Sequence, residues 1–167
     1  MKIQTFSLHK LDCLINNAGI GGMRAELTDL ELNTFVNIYS VNVFGAAMMA
    51  KKAAQIFKKQ NYGNIVNIAS TAATKGYATG TVYSSSKFAL RGMTECWRAE
   101  LRKYNVRVIL INPSEVITAF GDPERAERKE VSNKLRSEEI AHTIVSTLEM
   151  DDRGFIPEVT IWATNPF

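Results

Sequence analysis

The feature that most constrains this chain is a series of short runs that are apolar without alternation, each separated from the next by helix-length sequence. Leu11–Asn16 (LDCLIN), Ile65–Ser70 (IVNIAS) and Val106–Asn112 (VRVILIN) are such runs, and Phe155–Ala163 is a fourth, less purely apolar. A strand with one wet face alternates apolar and polar residues, whereas a strand covered on both faces does not need to. The intervening stretches read as helices. Thr28-Asp29-Leu30-Glu31 has the form of a capping box and opens a long helical region to about Gln60. Further helices are predicted over Thr81–Tyr104 and Glu138–Met150, while the densely charged Glu124–Arg136 reads as a solvated helix or mobile segment. Strands alternating with helices define an α/β doubly wound parallel sheet. In such sheets ligands bind beyond the carboxyl ends of the strands. Attention therefore falls on Asn17–Gly22, Ser70–Lys75 and Pro113–Thr118.

Composition narrows the class. The 167 residues suit one domain, residues 1–167, and 46% hydrophobic with 22% charged residues is a globular balance. Twenty Lys and Arg against 17 Asp and Glu leave +3, which gives no electrostatic case for nucleic acid. The longest apolar run, Phe44–Ala50, is far short of the roughly 18 residues of a membrane span. Met1–Lys10 has no apolar stretch of the secretory kind. Cys13 and Cys96 have no metal-ligand spacing and read as buried thiols rather than a disulfide, so no metal is expected. A soluble cytoplasmic domain is the expectation.

Chemistry concentrates at Tyr83-Ser84-Ser85-Ser86-Lys87. Four residues apart on a helix, the phenol and the ammonium share a face. A nearby cation is expected to lower the tyrosine pKa from about 10, which makes a usable proton donor or acceptor. Taken alone, such a pair also arises by chance in helices. Ser70, upstream at the end of the previous strand, adds a hydroxyl able to hold a carbonyl oxygen. Asn16-Asn17-Ala18-Gly19 closes the first strand, Asn42 lies within the long helix, and Pro113-x-x-Val116-x-Thr118 follows the third strand.

In combination and in this order, these motifs resemble the short-chain dehydrogenase/reductase family over nearly the whole chain from Leu11. The resemblance implies a Rossmann-like sheet and interconversion of a carbonyl and a secondary alcohol by hydride transfer with NADP or NAD, NADP slightly favoured. It assigns Tyr83 as general acid/base. Lys87 becomes the residue that tunes Tyr83 and holds the nicotinamide ribose, and Ser70 the residue that orients the carbonyl. Asn42 supports a proton relay to Lys87. Asn16, Ala18 and Gly19 close over the adenosine side and brace the sheet, and Pro113, Val116 and Thr118 border the nicotinamide carboxamide. Asn16 can equally tie strand ends together, and Thr118 can cap a helix. The implied partners are a small-molecule carbonyl or acyl-carrier-linked substrate, with 3-oxoacyl reduction as the default, and a second copy in a homodimer or homotetramer.

The sequence also departs from that pattern. The family's first strand leads into a Thr-Gly-x-x-x-Gly-x-Gly turn, whose amides take the pyrophosphate. Gly19, Gly21 and Gly22 instead follow a strand ending in Asn-Asn-Ala-Gly, and Ser114 stands where the family usually has glycine. Roughly two β-α-β units of the family pattern are therefore missing at the N-terminus, and cofactor affinity is expected to fall to the millimolar range. The Leu11–Asn16 strand would then be an open apolar edge, unless Met1–Lys10, with Ile3, Thr5 and Ser7, lies along it as a makeshift strand. Two readings follow: an oxidoreductase with its catalytic positions intact, or a truncated, non-catalytic relative used as an interaction or assembly module.

Overall fold

The computed structural model describes residues 10–165, apart from Met23, Pro123, Arg125 and Glu127. The expected Met1–Lys10 strand falls almost wholly outside those residues. Four parallel strands form one sheet in chain order: β1 Cys13–Asn16, β2 Gly63–Ile68, β3 Val106–Pro113 and β4 Glu158–Ile161. The register pairs Asn16 with Asn67 and Ile68 with Ile111. Among the described residues, β1 has a partner on one side only.

Successive strand residues go to opposite faces, and both faces are covered. Ile65 and Val108 pack with Ala50, Ala53, Phe57 and Leu101 on one side. Val66, Ile109 and Ile111 pack with Leu135 and Ile140 on the other. All eight residues of β3 are buried. The uniformly apolar strands therefore follow from helices on both sides of the sheet.

Helix boundaries differ from the sequence reading in instructive ways. The region expected as one helix from Thr28 to Gln60 is α1, Leu32–Tyr39, then a π-helical segment, Ser40–Gly45, then α2, Ala46–Gln60. The Thr28–Glu31 capping box does not form: Thr28 donates to the neighbouring Asp29 carboxylate, and α1 starts after Glu31 without a side-chain cap. Local hydroxyl-to-carboxylate bonding has displaced the capping bond. Within this region Phe44, Met48 and Met49 are all more than half exposed, although they lie in the longest apolar run of the sequence.

α3 spans Thr81–Leu101 and closes in a 3₁₀ turn, Arg102–Tyr104, ended by left-handed Asn105. α4 runs Ser137–Leu148, and the Glu139 carboxylate reaches back to the Arg136 amide at its N-terminus. In the charged run before α4, the described residues are turns and extended chain held by ion pairs such as Arg136–Glu130. Cys13 and Cys96 are free thiols, but Cys96 is exposed on α3 rather than buried.

A candidate active site at the carboxyl ends of the strands

Separate elements deliver their groups to the same end of the sheet. Ser70 lies just past β2 and caps the 3₁₀ turn Thr71–Ala73, its hydroxyl accepting from the Ala72 amide at 3.1 Å. That cap fixes the residue next to α3, where the Ser70 hydroxyl faces the Tyr83 phenol closely enough to favour its ionised form. Tyr83 and Lys87 share a face of α3, with the Lys87 Nζ 5.7 Å from the Tyr83 ring centroid. Lys87 is 4% exposed and donates to the Ile68 carbonyl at 3.0 Å.

Asn42, 1% exposed, sits in the π-helical segment. Its Oδ1 accepts from the Ile20 amide at 2.8 Å, while its Nδ2 donates to the Ile20 carbonyl and the Ser86 hydroxyl. The extra residue in a π turn redirects a side chain that an unbroken α-helix would place elsewhere. Here that side chain fastens the loop after β1 to α3. Gly19 completes the group: a Cβ there would lie 3.4 Å from Asn42 Oδ1 and 3.6 Å from Lys87 Nζ. Bare backbone therefore borders the ammonium.

The remaining expected residues are placed differently. Asn16 is buried, away from this cluster: its amide donates to Asn67 Oδ1 at 2.8 Å and to the Ala46 carbonyl. Asn67 in turn donates to Thr94, so this ladder ties β1 and β2 to α3. Ala18 is exposed on the loop after β1. Pro113 ends β3, Val116 pairs with Leu135, and the Thr118 hydroxyl accepts from the Phe120 amide at 3.2 Å. Phe120, at the start of the segment expected from sequence to line the substrate pocket, places its ring 5.9 Å from that of Tyr83. A Cβ on Gly21 would meet that ring at 3.3 Å.

The electrostatics correct one expectation. Tyr83 is pushed up from its ordinary pKa, chiefly by burial, with Ser70 pulling the other way and Tyr77 adding a small upward push. The lowering expected from Lys87 is not what governs it. The same burial brings Lys87 down to about 8, because removing a charged form from water costs more than these neighbours return. The site thus presents a protonated phenol beside a buried amine that ionises close to neutrality.

This arrangement fits the ribose-nicotinamide end of a dinucleotide. Gly19 brings bare backbone into contact distance of Asn42 and Lys87, and Lys87 and Tyr83 offer donors beside it. Among the described residues there is no glycine-rich strand-to-helix turn to take a pyrophosphate.

A buried phenol, a hydroxyl, a buried lysine and a bracing asparagine thus meet at one end of a parallel α/β sheet. The chain belongs to the short chain dehydrogenase family, which it matches over residues 3–129. It is 30% identical over 162 residues to an NADP-dependent 3-hydroxy acid dehydrogenase of Schizosaccharomyces pombe. It is 31% identical over 155 residues to a sepiapterin reductase of Chlorobaculum tepidum. Each of these matches covers 93% of this chain and 62% of the relative, so the chain spans about three fifths of their length. Among solved structures, the closed form of a serine dehydrogenase complexed with NADP+ superposes with a TM-score of 0.81 at 25% identity. That match covers 90% of this chain and 64% of the other.

Proposed function

We propose that this chain carries the catalytic half of an NAD(P)-linked oxidoreductase that interconverts a carbonyl and a secondary alcohol. The observation that carries the reading is the meeting of Ser70, Tyr83, Lys87 and Asn42, drawn from three separate segments, at one end of the sheet. When bound, the nicotinamide supplies a hydride to the carbonyl carbon. Ser70 holds the carbonyl oxygen, and the Tyr83 phenol gives that oxygen its proton as negative charge builds on it. Burial keeps Tyr83 protonated at neutral pH, the state reduction requires. The Lys87 ammonium then offsets the charge left on the phenolate, and Asn42 keeps the Gly19–Ile20 backbone seated against it. Gly19, Tyr83 and Lys87 would hold the ribose end, with Pro113, Val116 and Thr118 toward the carboxamide.

NADP is the favoured cofactor, supported by the NADP+ in the serine dehydrogenase complex and by the name of the 3-hydroxy acid dehydrogenase. The substrate is a small-molecule carbonyl compound, with a 3-oxoacyl group as the working choice. A 3-hydroxy acid and 3-ketodihydrosphingosine, both oxygenated at carbon 3, appear in the names of two relatives. We assign the protein to the cytoplasm as a homodimer or homotetramer. Among the described residues no helix is long and apolar enough to cross a membrane.

The test is carbonyl reduction, followed as NADPH oxidation at millimolar NADPH. Tyr83→Phe keeps the ring and removes the proton, so turnover should fall at least about a hundredfold, in the range that general acid catalysis contributes, with circular dichroism unchanged. A Phe variant retaining more than about a tenth of wild-type turnover would sink this assignment.

A further inference from the structure

The cleft beside Tyr83 holds a cation that the proposed chemistry does not use. Arg24 lines this cleft with Gly22, Ile38, Tyr77 and Tyr83. Its guanidinium lies over the Tyr77 ring, 5.6 Å from the centroid. Three neighbouring acids, Glu26, Asp29 and Glu31, share its loop. Among the described residues none of them pairs with Arg24, whose recorded contact is the Tyr77 ring.

The platform under this guanidinium is built at some cost to the backbone. Thr79 adopts φ +63°, a left-handed conformation that a β-branched residue rarely takes. Its carbonyl accepts from the Ala25 amide at 3.3 Å, which fastens the Arg24 loop to the turn before α3. Gly80 has no side chain where a Cβ would run into the Tyr77 ring. Glycine at one position and strain at the next thus fold Tyr77 back beneath Arg24. An arginine held on an aromatic face keeps its fork of N–H donors free at the edge, and that fork matches a carboxylate.

We infer that Arg24, held on Tyr77, anchors a carboxylate borne by the substrate close to its reacting carbonyl, so that the preferred substrates are short free oxo acids. This inference rests on the oxidoreductase reading of Tyr83 and deepens it. An acyl chain held as a thioester has no charge at that position and would leave the guanidinium unpaired.

The test needs no cofactor. Tyrosine-ring signals of the 167-residue chain are followed by nuclear magnetic resonance during titration with 3-oxobutyrate. A parallel titration uses the N-acetylcysteamine thioester of the same acid. The expected result is that 3-oxobutyrate shifts the Tyr77 and Tyr83 signals and binds at least about tenfold tighter than the thioester, the ratio one charge-assisted contact supplies. Arg24→Gln should remove that ratio and leave thioester binding in place. Arg24→Lys should recover only part of it, because an ammonium lacks the fork.

Equal binding of acid and thioester by the wild type overturns the inference, as does an Arg24→Gln variant that keeps the ratio. Inorganic phosphate displacing 3-oxobutyrate at a lower concentration than the acid itself also overturns the carboxylate assignment. Failure here stays distinguishable from failure of the parent reading: loss of turnover in Tyr83→Phe without acid preference sinks only the anchor, whereas acid preference with an active Tyr83→Phe leaves a carboxylate site but sinks the oxidoreductase reading and the substrate role built on it.

Discussion

Lys87 is a long cationic side chain held in a place where its charge is costly. With its pKa lowered to about 8 against 10.5 for the free side chain, the unfolded chain binds the extra proton between those two values. Stability therefore rises with pH through that window, and the gain is absent below about 8. From about pH 7 to 9 the expected rise is about 1 kcal/mol. Lys87→Met should remove it, which denaturant titrations of both proteins at the two pH values would show. Parallel pH dependence in the two proteins would mean that Lys87 does not titrate in this range. Asn16 illustrates another residue-scale outcome. Its place in the motif was legible, but its neighbours Asn67 and Thr94 lie 51 and 78 positions away in the chain, and only folding brings that ladder together.

At the scale of elements, the segment between β3 and α4 is tied down by exposed ion pairs. Glu115 accepts from Lys134 at 2.9 Å and from Arg128 at 3.0 Å, so one carboxylate pins the loop that carries Phe120 over Tyr83. Both bonds hold Glu115 below its ordinary pKa, Lys134 more strongly. The restraint is therefore present at neutral pH and lost as acid protonates the carboxylate. The pairs are exposed, so salt screens them. Glu115→Gln, or high salt on the wild type, should raise the rate of limited proteolysis within residues 119–134 a few-fold. Unchanged cleavage rates in both cases would show that backbone contacts, such as Ile117 to Leu135 at 2.8 Å, are sufficient to hold the loop.

The whole molecule shows one apolar surface suited to pairing. Met48 and Met49 on α2 and Phe88 on α3 are exposed apolar residues on adjacent helices. A symmetric pairing of such helices is the commonest way to cover them. Sedimentation at micromolar concentration should show a dimer or larger, and Met48→Glu should shift it toward monomer. A wild-type chain that sediments cleanly as a monomer would remove this part of the proposal. Cofactor affinity is also a whole-molecule property. With only the ribose end held by described residues, a typical micromolar interaction of roughly 8 kcal/mol should lose about half its free energy, which leaves a millimolar constant. Calorimetric titration of the 167-residue chain with NADPH tests this. A dissociation constant at or below about ten micromolar would reveal a phosphate site elsewhere in the chain.

The alternation of unbroken apolar runs with helix-length stretches was enough to determine a parallel sheet between helical layers, because strands buried on both faces tolerate no polar alternation. Tyr83, Lys87 and Ser70 were likewise legible, since their spacing follows from one helix and the strand before it. The break of the long helix into α1, a π turn and α2 was not legible: Asn42 earns its geometry from bonds to Ile20 and Ser86, 22 and 44 positions away. Nor was the direction of the Tyr83 shift, because sequence shows the cation but not the burial that outweighs it. The placement of Phe120 and of Arg24 on Tyr77 was decided by loops whose conformation depends on their neighbours in space. Periodicity is a local property and is written along the chain, whereas desolvation and long-range hydrogen bonding exist only once distant segments have met.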